Sequence, residues 1–90
     1  MIEREVRVTN RAGIHARPAA MIVQTASRYD SKIMLGKDGE EINAKSIMGI
    51  ITLGAGYDTV LKLSVEGRDE QEAANAVATL FEHRFQEEPA

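Results

Sequence analysis

Two hydrophobic periods alternate along this 90-residue chain, and their order constrains the fold more than any single motif. Residues 2–8 carry Ile2, Val6 and Val8 on one parity and Glu3, Glu5 and Arg7 on the other, which predicts a half-buried strand. Arg4 breaks that parity, as a residue near an edge or an end does. After the turn Asn10-Arg11-Ala12-Gly13, the period changes. Ala19, Ile22, Val23 and Ala26 recur on one face of a helix expected over 16–28, with Pro18 in the first turn, where a missing N–H costs little. Residues 31–36 read as a strand with Ile33 and Leu35 inward, followed by a hairpin turn at 36–39 and a short return strand over 40–44. A short helix over 46–53 has Ser46 as its N-cap and Ile47, Ile50 and Leu53 facing inward. Residues 59–66 form a strand with Leu61, Leu63 and Val65 inward. Asp69, with Glu72 three residues on, caps a last helix whose buried stripe is Ala73, Val77, Leu80 and Phe81. The order is βαββαβα. It predicts an α+β domain, with an antiparallel sheet, all three helices on one face and the other face solvated.

Composition narrows the function. The domain is expected to span residues 1–88, with 89–90 outside it, and the tail Glu87-Glu88-Pro89-Ala90 reads as frayed. No run approaches ~18 apolar residues, so no span or membrane insertion is expected. Met1-Ile2-Glu3-Arg4-Glu5 lacks an apolar signal segment, which points to the cytoplasm. The absence of cysteine removes disulfides and thiol chemistry. A net charge of −3 and four aromatic residues suit neither duplex binding nor base stacking. A domain this small has little room for a deep cleft, so its chemistry should sit on the surface.

The two histidines differ. His83 falls away from the Val77 stripe and reads as a solvated surface residue. His15 sits in Gly13-Ile14-His15-Ala16-Arg17-Pro18, where a turn meets a helix N-terminus. Such a terminus offers unpaired backbone N–H groups, here those of Ala16 and Arg17, and the positive end of a dipole, a natural phosphate site. Arg17 adds a fork of donors suited to phosphate oxygens. Among donors and positive charge, a neutral ring nitrogen of His15 is available as a nucleophile near neutral pH. The competing reading is a helix-capping histidine with incidental neighbours. No second ligand lies at metal spacing, so neither metal nor cofactor is expected. Arg17, Met21, Gln24 and Arg28 share the helix face opposite the core, with Ala20 at its border. Met48 and Ile51 fall at the side or outside of the short helix. If the two helices are neighbours, Ala20, Met21, Met48 and Ile51 form one apolar patch around His15.

Gly13-Ile14-His15-Ala16-Arg17-Pro18-Ala19-Ala20 resembles the active-site motif of the HPr family, the histidine phosphocarriers of the bacterial phosphoenolpyruvate-dependent phosphotransferase system. Lys45-Ser46-Ile47-Met48-Gly49-Ile50-Ile51-Thr52-Leu53-Gly54 is similar to the family's second motif, around its regulatory serine. The resemblance covers essentially the whole chain. It implies an open-faced β-sandwich with strand order 1-4-2-3. It implies that Nδ1 of His15 accepts a phosphoryl group from phosphorylated enzyme I and passes it to enzyme II domains, including IIA, in sugar transport. Arg17 would stabilise that group, and Ser46 would be the site of a kinase/phosphorylase. Ala16, Ala20, Ile47, Met48 and Ile51 match the partner-docking positions. The last helix looks extended through Arg84–Glu88, and in the family the C-terminus often lies near the active site. The expected molecule is a monomeric carrier, a substrate of enzyme I rather than an enzyme. Two rivals stand beside it. One is a relative that works mainly through Ser46-controlled binding or in the nitrogen-regulatory branch; the other is a small ligand-sensing module with no covalent step.

Overall fold

The computed structural model describes residues 1–87. The elements are β1 (Ile2–Arg7), α1 (Ala16–Ala26), β2 (Lys32–Lys37), β3 (Glu40–Asn43), α2 (Ile47–Leu53), β4 (Val60–Glu66) and α3 (Glu70–Glu82), followed by a short turn over Arg84–Gln86. The strands form one antiparallel sheet in the order β1-β4-β2-β3. The three helices cover one face, giving the open-faced sandwich that the sequence predicts. Among the described residues, no helix is long and apolar enough to cross a membrane. The fraying expected of residues 88–90 falls outside the described residues.

Register explains which side chains meet the helices. Val6 pairs with Leu61, Leu35 with Leu63 and Ile33 with Val65, so the inward parity of three strands coincides. All six are buried, with Ile22, Ile50, Val77 and Phe81 packed into the same core. Arg4 lies opposite Leu63 on this inward parity. Because β1 is an edge strand, its guanidinium reaches the rim and donates to Oδ1 of Asn75 on α3 at 2.9 Å. Three small residues of α3, Ala73, Ala74 and Ala78, are fully or almost fully buried, and Leu80 is only half-buried.

The structure corrects three local expectations. Ile47 is exposed, while Ile50 and Leu53 are buried. At 3.6 residues per turn, Ile47 and Leu53 lie about 120° apart, so the three residues cannot share one inward line. Asp69 stands at the N-cap of α3 but makes no side-chain cap. Its carboxylate instead accepts from the N–H groups of Asp30 (2.9 Å) and Ser31 (3.0 Å) and from the Ser31 hydroxyl, tying the start of β2 to the start of α3. Finally, the last helix is not extended. It stops at Glu82, and Arg84, Phe85 and Gln86 take φ values of 54°, 53° and 60°, reversing the chain in left-handed conformation. Such backbone costs non-glycine residues roughly 1 kcal/mol or more each. Phe85 offsets it by becoming fully buried, edge-on to Phe81 with ring centroids 4.9 Å apart.

Candidate functional site

The site is assembled from the loop before α1, the first turn of α1 and the reversed C-terminal segment. Asn10, fully buried, donates through Nδ2 to the carbonyl of Gly13 at 2.7 Å and holds the turn closed. Gly13 has φ 74°, and a Cβ there would stand 3.0 Å from the carbonyl oxygen of Ala55. Only glycine lets the loop press against that backbone, and the N–H of Ile14 then donates to Ala55 O at 2.9 Å. The next residue, His15, is thereby fixed at the N-cap of α1 in extended conformation.

The backbone carbonyl of His15 accepts from Ala19 N at 3.0 Å, but its imidazole makes no capping hydrogen bond. That removes the main support for the incidental-cap reading. The N–H groups of Ala16 and Arg17 have no backbone acceptor among the described residues, and Pro18 has no N–H. Two unpaired donors and the helix dipole therefore converge beside a side chain that is 44% exposed.

Glu87 is the residue that the sequence reading missed. Read as part of a frayed tail, it is in fact the centre of a polar cluster. Its Oε2 lies 2.9 Å from Nε2 of His15 and 3.2 Å from Nη1 of Arg17, and its Oε1 accepts from Nδ2 of Asn10 at 3.1 Å. The same Nη1 of Arg17 also donates to the carbonyl of Phe85 at 3.2 Å. Burial works to raise the Glu87 carboxyl. The Asn10 amide, the charge and hydrogen bond of His15, and the Arg17 hydrogen bond outweigh it, and the carboxyl is held below its ordinary value. Nδ1 of His15 has no hydrogen bond among the described residues. His83 is exposed at the C-cap of α3.

The second motif lies on the neighbouring helix. Ser46 caps α2, its Oγ accepting from Gly49 N. Met48 is 66% exposed and Ile51 and Ile47 are about two-fifths exposed. Ala16 is exposed and Ala20 half-buried on α1, which packs against α2. Met21 is half-buried and packs on the core, so it borders this surface rather than standing out from it. Lys45 is turned inward, its Nζ donating to the carbonyl of Tyr29 at 2.7 Å. Arg17 is thus the cation beside the proposed patch that still faces the His15 cluster.

A family model described as "PTS HPr component phosphorylation site" matches residues 2–83. The chain belongs to the HPr family. It is 57% identical over 88 residues to the phosphocarrier protein HPr of Treponema pallidum (strain Nichols), covering 98% of this chain and all of that one. It is 46% identical over 82 residues to the HPr-like protein Crh of Halalkalibacterium halodurans, covering 91% of this chain and 98% of that protein. The fold superimposes on the crystal structure of HPr from Thermoanaerobacter tengcongensis with a TM-score of 0.94 at 50% identity, over 99% and 100% of the two chains. HPr from Bacillus anthracis gives 0.85 at 41% identity, over 89% of this chain and 95% of that one. The family comprises phosphocarriers of the phosphotransferase system, and this chain is a phosphoryl carrier, not an enzyme. It works by histidine-mediated relay between enzyme I and enzyme IIA domains.

Proposed function

We propose that His15 is the relay histidine and that it acts through Nδ1. The observation that carries this is the unequal treatment of its two ring nitrogens. Nε2 faces the Glu87 carboxylate, while Nδ1 has no partner among the described residues, on a residue that adjoins two backbone N–H groups without an acceptor among them. The Nδ1 lone pair attacks phosphorus as the bond from phosphorus to the donor group of enzyme I breaks, and that group keeps the bonding pair. On transfer to an enzyme IIA domain the same step runs in reverse at Nδ1. Positioning and charge stabilisation are what the chain supplies, and the Arg17 guanidinium supports the phosphoryl oxygens together with the N–H groups of Ala16 and Arg17.

Ala16, Ala20, Met21, Ile47, Met48 and Ile51 serve as the docking surface, and Ser46 serves as a site where a kinase/phosphorylase restrains the relay. In this reading the working unit is a monomer in the cytoplasm, serving sugar uptake. A regulator acting mainly by binding is the second reading, favoured by the likeness to Crh. Comparing phosphotransfer with partner binding after Ser46 phosphorylation separates the two. The acceptor itself is tested by incubation with enzyme I and phosphoenolpyruvate followed by assay of acid-labile phosphate. His15→Ala should abolish the label and His83→Ala should leave it; label persisting in His15→Ala contradicts the assignment.

A further inference from the structure

We propose that Glu87 is a positioning residue for the relay: its carboxylate holds the proton of His15 on Nε2 and balances the charge that the ring acquires when Nδ1 bonds phosphorus. The inference rests on the reading of His15 as acceptor.

A neutral imidazole has one N–H and one lone pair, and the hydrogen bond made by one nitrogen decides which is which. An ionised carboxylate only accepts, so the nitrogen that faces it at 2.9 Å carries the hydrogen. The lone pair is then confined to Nδ1, which has no partner among the described residues. When Nδ1 bonds phosphorus, the ring keeps its Nε2 proton and becomes an imidazolium. When the phosphoryl group leaves, the Nδ1–phosphorus bond breaks, the receiving group supplies the new bonding pair, and Nδ1 takes back its own pair. No proton has to enter or leave Nε2 in either direction. A carboxylate that orients a histidine in this way, without taking its proton, is a recurring catalytic arrangement.

The carboxylate is not a casual surface partner. The Glu87 side chain is only 15% exposed and accepts from three different side chains. The fully buried Asn10 anchors one oxygen, and the fully buried Phe85 anchors the chain two residues before it. The left-handed backbone of Arg84, Phe85 and Gln86 turns the chain toward α1, and the N–H of Glu87 donates to Arg84 O at 2.9 Å to close the turn. Three side-chain hydrogen bonds to a largely buried carboxylate separate this cluster from an exposed ion pair.

The test uses the full chain with enzyme I and phosphoenolpyruvate, in Glu87→Ala and Glu87→Gln forms. Glutamine keeps the size and an accepting oxygen but not the charge, and the bond from Arg17 to Phe85 O can persist in it. Ring nitrogen-15 spectra recorded above the range where histidine titrates should show a single Nε2–H form in the wild type and a mixture of both tautomers in Glu87→Ala. Rapid-quench phosphorylation of His15 should be about tenfold or more slower in Glu87→Gln, at a temperature where thermal unfolding shows that variant to be fully folded. Identical ring spectra in wild type and Glu87→Ala, or a wild-type rate in Glu87→Gln, overturn the proposal. Label retained by His15→Ala in the same assay would instead locate the fault in the choice of acceptor.

Discussion

Ser46 Oγ accepts the backbone N–H of Gly49 at 3.1 Å, so the hydroxyl proposed to take a regulatory phosphate is already the cap of α2. The two roles separate in the alanine variant. Ser46→Ala should destabilise the domain by about 1 kcal/mol, the usual worth of such a cap, and still carry phosphate on His15. Chemical denaturation and the transfer assay together check this.

Phosphorylation of Ser46 should act on the partner rather than on the fold. It adds a charge of about −1.5 to −2, which a helix N-terminus tolerates. Beside Met48 and Ile51, that charge must be desolvated when a partner docks. The expected outcome is weaker binding to enzyme I and slower phosphorylation of His15, with the unfolding temperature unchanged or raised. Ser46→Asp, with about half the charge, should reproduce part of the effect. Equal rates for modified and unmodified protein would leave Ser46 as a cap alone.

Arg17 should matter for transfer and little for stability. Its side chain is 54% exposed, and its guanidinium donates to the Phe85 carbonyl and Glu87. Arg17→Ala should slow transfer by between ~10-fold and ~1000-fold, the scale for losing one charge-stabilising donor, and Arg17→Lys should lose less. An unchanged rate in Arg17→Ala would refute the role.

Met48 tests the docking surface. Because it is 66% exposed, Met48→Glu should leave the unfolding midpoint nearly unchanged while weakening enzyme I binding. Unchanged affinity in a calorimetric titration would mean that the patch is wrongly drawn.

The Asp69 junction gives the fold an acid-sensitive joint. The Ser31 hydroxyl, then the Asp30 N–H, hold the Asp69 carboxyl below its ordinary value, with burial opposing and further backbone N–H groups assisting. A depressed carboxyl contributes stability that is fully present above its unfolded-state value and is lost as pH falls through the folded one. Asp69→Asn should therefore be less stable than wild type near neutrality, and the gap should close between about pH 5 and about pH 2. Thermal unfolding across that range checks it; a gap independent of pH would contradict the charge-based account.

What was legible in the sequence was whatever periodicity and local motif encode. Leu61, Leu63 and Val65 gave the central strand, Ala19, Ile22 and Ala26 gave the buried face of α1, and Gly13 through Pro18 marked a turn entering a helix with His15 at its cap. Glu87 was not legible. The residues that turn it back, Arg84, Phe85 and Gln86, include no glycine or asparagine to signal left-handed backbone, and what holds them is the burial of Phe85 against Phe81. The spacing of the two phenylalanines was a usable hint, since four residues apart suits one helical face, but it equally suits a helix that simply continues. Asp69 misled for a related reason. Its cap signature is local, and the Ser31 backbone that claims the carboxylate is distant in sequence. Nothing local to Lys45 shows that its Nζ donates to the Tyr29 carbonyl, which the loop after α1 brings to it.

The central claim is that one nitrogen of one histidine carries the phosphoryl group. The most direct test labels the ring nitrogens with nitrogen-15, phosphorylates the chain with enzyme I and phosphoenolpyruvate, and looks for one-bond coupling to phosphorus-31. The account predicts coupling at Nδ1 of His15, with Nε2 still protonated and the ring of His83 unchanged. Coupling at Nε2 of His15, or at either nitrogen of His83, would contradict it.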